Sequence, residues 1–86
     1  MNAIQQRLAE LGITLPQPAA PVAAYVATVE VGGLLHISGQ LPFREDGSLI
    51  TGTLGTDYDV EHGRQAAERC GVMLLAQMYG ALGGDL

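Results

Sequence analysis

The chain has 86 residues, which is enough for one small domain at most. Hydrophobic residues make up 48% of it and aromatic residues only 5%, so the core has to be aliphatic, and we expect part of this apolar surface to be buried against partner subunits. The net charge is −5, with four arginines and no lysine, and this disfavours partners such as nucleic acids and anionic membranes.

The residue types that form metal and redox sites are sparse. Cys70 is the single cysteine, which excludes an intrachain disulfide and a cysteine-rich metal site, and we expect it to be a small buried hydrophobe. His36 and His62 fall on different predicted elements without a third ligand, so no metal site is predicted. Neither a signal-peptide pattern nor a long apolar run is seen, and we expect a cytoplasmic protein.

The chain begins with a predicted short helix and a connector. Asn2 can cap a helix that runs to about Leu11 and ends at Gly12. Residues 13–22 contain three prolines and predict an extended connector, because proline cannot continue a helix or a strand ladder.

A β-hairpin is predicted at about residues 24–39. Residues 25–31 alternate between two faces and include β-branched side chains, which is typical of a strand. Gly32-Gly33 suits a two-residue turn with positive φ, and residues 34–38 form the predicted return strand. The Asp46-Gly47 pair predicts the turn of a smaller second hairpin at about 41–52.

A long helix is predicted at about residues 60–82, capped by Asp57 or Asp59. Glycines inside a helix often indicate close packing, and this segment contains three of them. The resulting class is α+β, and we treat residues 1–86 as one partial domain, because a single hairpin and one helix are marginally stable alone. The apolar face is predicted to consist of residues at three- and four-residue steps: Ala67, Cys70, Leu74, Met78 and Ala81.

The candidate binding residues lie at the two ends of the first hairpin. Tyr25 opens the first strand and Ser38-Gly39-Gln40 closes the second, and an antiparallel pair brings these ends together. A phenol, a hydroxyl, an amide and bare backbone N–H groups would suffice to hold a small carboxylate. The alternative, a plain strand end followed by a turn, stays open, and no catalytic residue is assigned. The pair His36 and Ser38 lacks an orienting carboxylate and is read as ordinary strand residues.

The segment from Pro21 to Pro42 resembles the N-terminal signature of the RidA/YjgF family of enamine/imine deaminases, which also carries the older label of L-PSP-like endoribonucleases. The similarity rests on Tyr25, on Val31-Gly32-Gly33-Leu34 and on Ser38-Gly39-Gln40-Leu41-Pro42 at matching spacing. The segment from Cys70 to Gln77 resembles a less studied branch of that family.

The resemblance implies a chorismate-mutase-like fold, a homotrimer and clefts between subunits. It further implies cofactor-free hydrolysis of enamine and imine intermediates of amino-acid metabolism to keto acids and ammonia. Tyr25, Ser38, Gly39 and Gln40 would line the cleft. The family's carboxylate-binding arginine would lie beyond Leu86, so the chain resembles the first half of the domain, and we expect it to be inactive alone.

Two alternatives remain beside a deaminase. Ala23-Ala24 stands where the family usually has Gly-Pro, which favours a non-catalytic trimer of the same fold that binds small carboxylates. The other alternative is an inactive truncated fragment.

Overall fold

The computed structural model describes residues 2–21 and 24–86 and confirms an α+β architecture. Of the pair Ala23-Ala24, the structure describes only Ala24. The chain forms a short helix, a two-stranded antiparallel sheet and a long helix that packs against the second strand. Their bounds are α1, Ala3–Glu10; β1, Thr28–Val31; β2, Leu34–Ile37; and α2, Val60–Ala81.

The first helix begins and ends where the sequence predicts. The Asn2 side chain accepts a hydrogen bond from the Gln5 backbone N–H at 2.9 Å, and the Gln5 side chain accepts one from the Asn2 backbone N–H at 3.0 Å. This capping box satisfies backbone donors that have no partner inside the helix. Gly12 follows the helix with a φ of 71°, and residues 13–21 form the predicted irregular connector.

The first hairpin has the predicted turn but shorter strands. Residues 28–31 pair antiparallel with residues 34–37, and Gly32 and Gly33 both have positive φ. The prediction that the first strand starts at Tyr25 is wrong, because Tyr25 lies in a bend. The return strand leaves the ladder after one further bond, from Ser38 N–H to the Ala27 carbonyl at 2.9 Å, so residues 25 and 26 have no strand opposite them.

The second hairpin is confirmed in reduced form, as a single antiparallel bridge between Phe43 and Leu49. The Arg44 N–H donates to the Ser48 carbonyl at 2.8 Å, and Gly47 supplies the positive φ of the turn.

The long helix α2 begins at the second of the two candidate caps. Asp59 accepts a hydrogen bond from the His62 backbone N–H at 2.9 Å, whereas Asp57 accepts one from the Thr53 N–H at 2.6 Å and closes the preceding loop. The helix ends at Ala81, within a residue of the predicted end. Within the described residues, neither helix is long and apolar enough to cross a lipid bilayer.

The buried face of α2 differs from the predicted one. Ala67 and Ala81 are exposed, and Cys70, Leu74 and Met78 are only partly covered. Apolar residues occur on more than one side of this helix, so their spacing alone does not select the side that meets the sheet and the connector. The buried residues are Val72, Met73, Ala76 and Gln77.

Candidate functional site

A cleft of about 240 Å³ lies between the connector and the end of the first hairpin. It has one wall from the connector, one from the bend before β1 and one from the segment that follows β2. All four predicted binding residues line it. The lining consists of Ala19, Ala20, Pro21, Tyr25, Ala27, Ser38, Gly39, Gln40, Leu41 and Phe43.

The predicted residues reach the cleft because the chain turns away from the sheet on both sides. Tyr25 is 44% exposed and lies in the bend before β1. Ser38 is held beside Ala27 by its backbone bond, and the exposed Gly39 comes next. A methyl group built on Gly39 meets no atom within 4 Å, so the backbone there borders open space. Glycine thus leaves room for a ligand to approach the main chain.

The Ser38 hydroxyl has no hydrogen-bond partner among the described residues, although its oxygen is buried. A buried polar group without a partner costs free energy, of the order of 1–3 kcal/mol. Such groups in folded proteins call for a ligand, a water molecule or a neighbouring chain as their partner. The Ser38 hydroxyl is therefore a covered polar group of a cleft-lining residue, and the described residues leave it without a partner.

The Gln40 side chain, in contrast, is held by the protein. Its Nε2 donates to the Ser38 carbonyl at 3.2 Å, and its Oε1 accepts from Gln77 Nε2 at 3.2 Å. Gln77 is 6% exposed and also donates to the Ala19 carbonyl at 3.0 Å. The sequence analysis did not identify Gln77 or Phe43 as part of this region. Gln77 is a polar residue in an apolar part of the helix, with Met73 and Ala76 before it and Gly80 after it. This position could have identified it from the sequence.

In the described part of the chain, the cleft has no charged lining residue. All four arginines are engaged elsewhere, and Arg7 pairs with Glu10 at 3.1 Å. Arg69 Nε donates to the Phe43 carbonyl at 2.6 Å, and Arg44 donates to the Ser48 hydroxyl at 3.2 Å. Arg64 is held between Glu61 and Glu68 at 2.8 Å from each, and these carboxylates raise its pKa above the usual value.

A second polar cluster lies at the start of α2. Asp59 Oδ1 is 2.7 Å from His62 Nδ1, and the His62 ring stacks on Tyr58 with 4.9 Å between centroids. Hydrogen bonds from the His62 backbone and ring lower the pKa of Asp59 below its usual range. Among the residues that the structure describes, His, Cys, Asp and Glu form no group of three that could hold a metal ion.

This sequence matches longer chains of known proteins, among them one from Trypanosoma cruzi and two of known structure, whereas no family model matches it. Protein TCP17 of Trypanosoma cruzi is 44% identical over 80 residues, which are 93% of this chain and 50% of TCP17. The crystal structure of Atu1372 from Agrobacterium tumefaciens, a protein described as of unknown function, superposes with a TM-score of 0.81 at 48% identity. That match covers 96% of this chain and 50% of Atu1372.

The third match is a crystal structure from Shewanella oneidensis MR-1, of a protein described as "a putative endoribonuclease". Its TM-score is 0.89 at 36% identity, over 95% of this chain and 54% of the Shewanella chain. The chain thus spans about half the length of each of these three relatives. It has the α+β fold of the Shewanella protein, and this likeness supports its resemblance to the RidA/YjgF superfamily.

Proposed function

We propose that the chain is the first half of a RidA-like enamine/imine deaminase, in which the cleft between the connector and the first hairpin binds the substrate's carboxylate. The observation that carries the proposal is the convergence of Tyr25, Ser38 and Gly39 on this cleft. The open backbone at Gly39 leaves room for a carboxylate to reach the main chain, and the Ser38 hydroxyl, whose oxygen is covered in the free chain, would have to turn towards the cleft to donate as well.

The reaction proposed for the longer protein needs only water and proton transfers. For 2-aminoacrylate, a proton added to the terminal carbon gives the protonated imine. Water then adds to the imine carbon, the C–N bond breaks, and pyruvate and ammonia leave. The cleft residues of this chain would orient the substrate. The positive charge opposite its carboxylate has to come from outside these residues, in agreement with the arginine that the resemblance places beyond Leu86.

A non-catalytic carboxylate-binding protein is the second candidate. The specific observation in its favour is the composition of the cleft, which offers hydroxyl, amide and backbone groups but, among the described residues, no titratable side chain other than the Tyr25 phenol. Such groups bind and orient a ligand but do not move protons readily near neutral pH. This candidate shares the binding site with the first and differs from it in turnover.

The Shewanella protein is described as "a putative endoribonuclease". For this chain, cleavage of RNA is the least favoured activity. At a net charge of −5 without lysine, the chain lacks the basic surface that phosphate backbones require.

The test combines ligand binding with turnover and uses Gly39→Ala as the informative variant. Pyruvate, the stable product, is titrated into the isotope-labelled chain, and we expect the backbone amides of Ser38 and Gly39 to shift. The added methyl group of Gly39→Ala has room in the free protein, so its melting temperature should stay close to that of the parent. It projects into space that the ligand would need, so binding should weaken by about tenfold, the effect of roughly 1.4 kcal/mol.

Hydrolysis of 2-aminoacrylate faster than the spontaneous rate separates the two candidates. Because we expect this chain to be inactive alone, turnover is measured on the longer protein of which it is proposed to be the first half. Turnover there supports the deaminase, whereas pyruvate binding without turnover there supports the binding protein. If pyruvate shifts no resonance of the cleft in the chain or in the longer protein, both candidates are rejected. Gly71→Ala, which also adds a methyl group where nothing lies within 4 Å but far from the cleft lining, is the matched control and should bind pyruvate like the parent.

A further inference from the structure

The buried side chain of Gln77 connects α2 to two walls of the cleft. Gln77 is 6% exposed, and its Nε2 donates one hydrogen bond to the Ala19 carbonyl and a second to Gln40 Oε1. Ala19 belongs to the connector and Gln40 to the segment after β2, and both line the cleft, whereas Gln77 itself does not. The Gln77 amide therefore joins α2 to two of the three walls of the cleft.

Burial of an amide is unfavourable unless its polar atoms find partners, so a glutamine on this face requires an explanation. The other buried residues of α2 are apolar, namely Val72, Met73 and Ala76. A methionine at position 77 would fill the same space without the cost of desolvation. The two hydrogen bonds are what distinguish glutamine there, and both lead to residues of the cleft.

The hydrogen bond from Gln77 also fixes the direction of the Gln40 amide. Because Gln40 Oε1 accepts from Gln77, its Nε2 is turned towards the Ser38 carbonyl, to which it donates at 3.2 Å. This second bond holds the backbone at Ser38, immediately before the open backbone of Gly39. The series Gln77, Gln40, Ser38 thus runs from the C-terminal part of α2 to the groups proposed to hold a carboxylate.

We infer that Gln77 is a positioning residue, which acts through Gln40 and the Ala19 carbonyl to fix the geometry of the cleft. This inference deepens the proposed function and rests on it for the ligand, but the contacts themselves concern the free protein. It predicts that loss of the amide at position 77 disturbs the cleft without touching the ligand.

The test is Gln77→Met, compared with Gln65→Met, which makes the same change on the exposed side of the same helix. The readouts are the side-chain amide resonances of Gln40 and the affinity for pyruvate. In Gln77→Met we expect the Gln40 amide resonances to move towards those of a solvated glutamine. Pyruvate affinity should fall about fivefold, the loss that corresponds to one hydrogen bond of about 1 kcal/mol. Gln65→Met should leave both readouts unchanged.

Unchanged Gln40 resonances in Gln77→Met would overturn the inference, and so would equal changes in both variants. If Gln77→Met does not fold, the unmodified chain decides, because the Gln77 amide protons should show nuclear Overhauser effects to the Gln40 side chain and slowed exchange with water. Fast exchange without such effects would likewise overturn it. If neither the parent chain nor the longer protein binds pyruvate, the proposed function fails, while the Gln40 resonances still decide the positioning role.

Discussion

Three glycines lie within α2, and their surroundings differ. A methyl group on Gly63 would lie 2.8 Å from the Leu54 side chain, and one on Gly80 would lie 3.2 Å from the Pro18 ring. Nothing lies within 4 Å of a methyl group on Gly71. Close packing is therefore found at two of the three positions, although against the loop before α2 and the connector and not, as the glycines led us to expect, against a sheet or another helix.

This difference predicts opposite results for the same substitution. Gly71→Ala should stabilise the chain by up to about 1 kcal/mol, because alanine has the higher helix propensity and the site is open. Gly63→Ala should gain less or lose stability, because Leu54 has to move. Urea denaturation followed by circular dichroism measures both. Equal stabilisation by the two substitutions would contradict the packing of Leu54 on α2.

The Asp59 cap predicts part of the acid sensitivity of the fold. Its pKa is lowered below the ordinary value of 3.8 by the hydrogen bonds from His62, so the folded state binds its proton less readily than the unfolded state does. The stabilisation by the carboxylate is therefore complete above the ordinary value and is lost as the pH falls through the lowered pKa.

Asp59→Asn retains a good capping residue that does not titrate. In this variant the loss of stability below pH 4 should be less steep than in the parent chain, as measured by thermal melts between about pH 2 and 6. Parallel stability curves for the two proteins would show that the cap contributes nothing to the acid sensitivity.

At the scale of the elements, Arg69 connects the second hairpin to α2. Its Nε donates to the Phe43 carbonyl at 2.6 Å, and Phe43 forms the single bridge that defines this hairpin. A hairpin with so few internal hydrogen bonds depends on contacts to the helix.

Arg69→Met should therefore loosen the second hairpin more than it weakens α2. We expect faster hydrogen exchange of the Arg44 and Ile50 amides, which donate within the hairpin, while amides in the middle of α2 keep their protection. Arg64→Met, which removes two exposed ion pairs on the same helix, is the matched control. Comparable exchange in both variants would contradict the role of Arg69.

The helix caps and turns, which depend on neighbouring residues, could be predicted from the sequence. The side of α2 that is buried could not. The Asn2 cap, the Gly32-Gly33 turn and the Asp46-Gly47 turn depend on neighbouring residues and were predicted at the correct positions. The buried side of α2 depends on where the connector and β2 come to lie. Several sides of the helix are apolar enough to be chosen, and the periodicity selected the wrong one.

The same distinction between local and distant contacts applies to the candidate site. Tyr25 and the segment from Ser38 to Gln40 could be predicted to meet, because hairpin pairing brings strand ends together, and the cleft contains them all. The contribution of Gln77 and of the connector could not be predicted. Gln77 contacts Ala19 and Gln40, which lie 58 and 37 positions away along the chain. No local pattern specifies such distant hydrogen bonds.

For the molecule as a whole, the outer face of the sheet is apolar and uncovered by the described chain. Three of its four residues are apolar: Val29, Val31 and Leu34 are 46%, 60% and 63% exposed, and the exposed His36 is the fourth. The aliphatic composition predicts burial against partner subunits, and the family resemblance implies three copies. We therefore test the predicted association of subunits at this face of the sheet.

The double variant Val31→Thr, Leu34→Thr keeps residues that suit a strand but removes apolar surface. If copies of the chain associate through this face, light scattering should report a smaller average mass for the variant than for the parent. Val60→Thr, at an exposed position in the first turn of α2, is the control and should leave the mass unchanged. An associated parent whose mass the double variant does not alter would place the contact elsewhere.

The contact between the two ends of the described chain has a consequence for the order of its elements. Gln5 Nε2 donates to the Gly84 carbonyl at 2.8 Å, and Asn2 Nδ2 donates to the Asp85 carboxylate at 3.2 Å. Residues 2 and 85 could thus be joined by a short peptide, and new ends could be opened at the exposed turn around Gly47. In such a circular permutant α1 would follow α2 directly, with the cleft and its three walls retained.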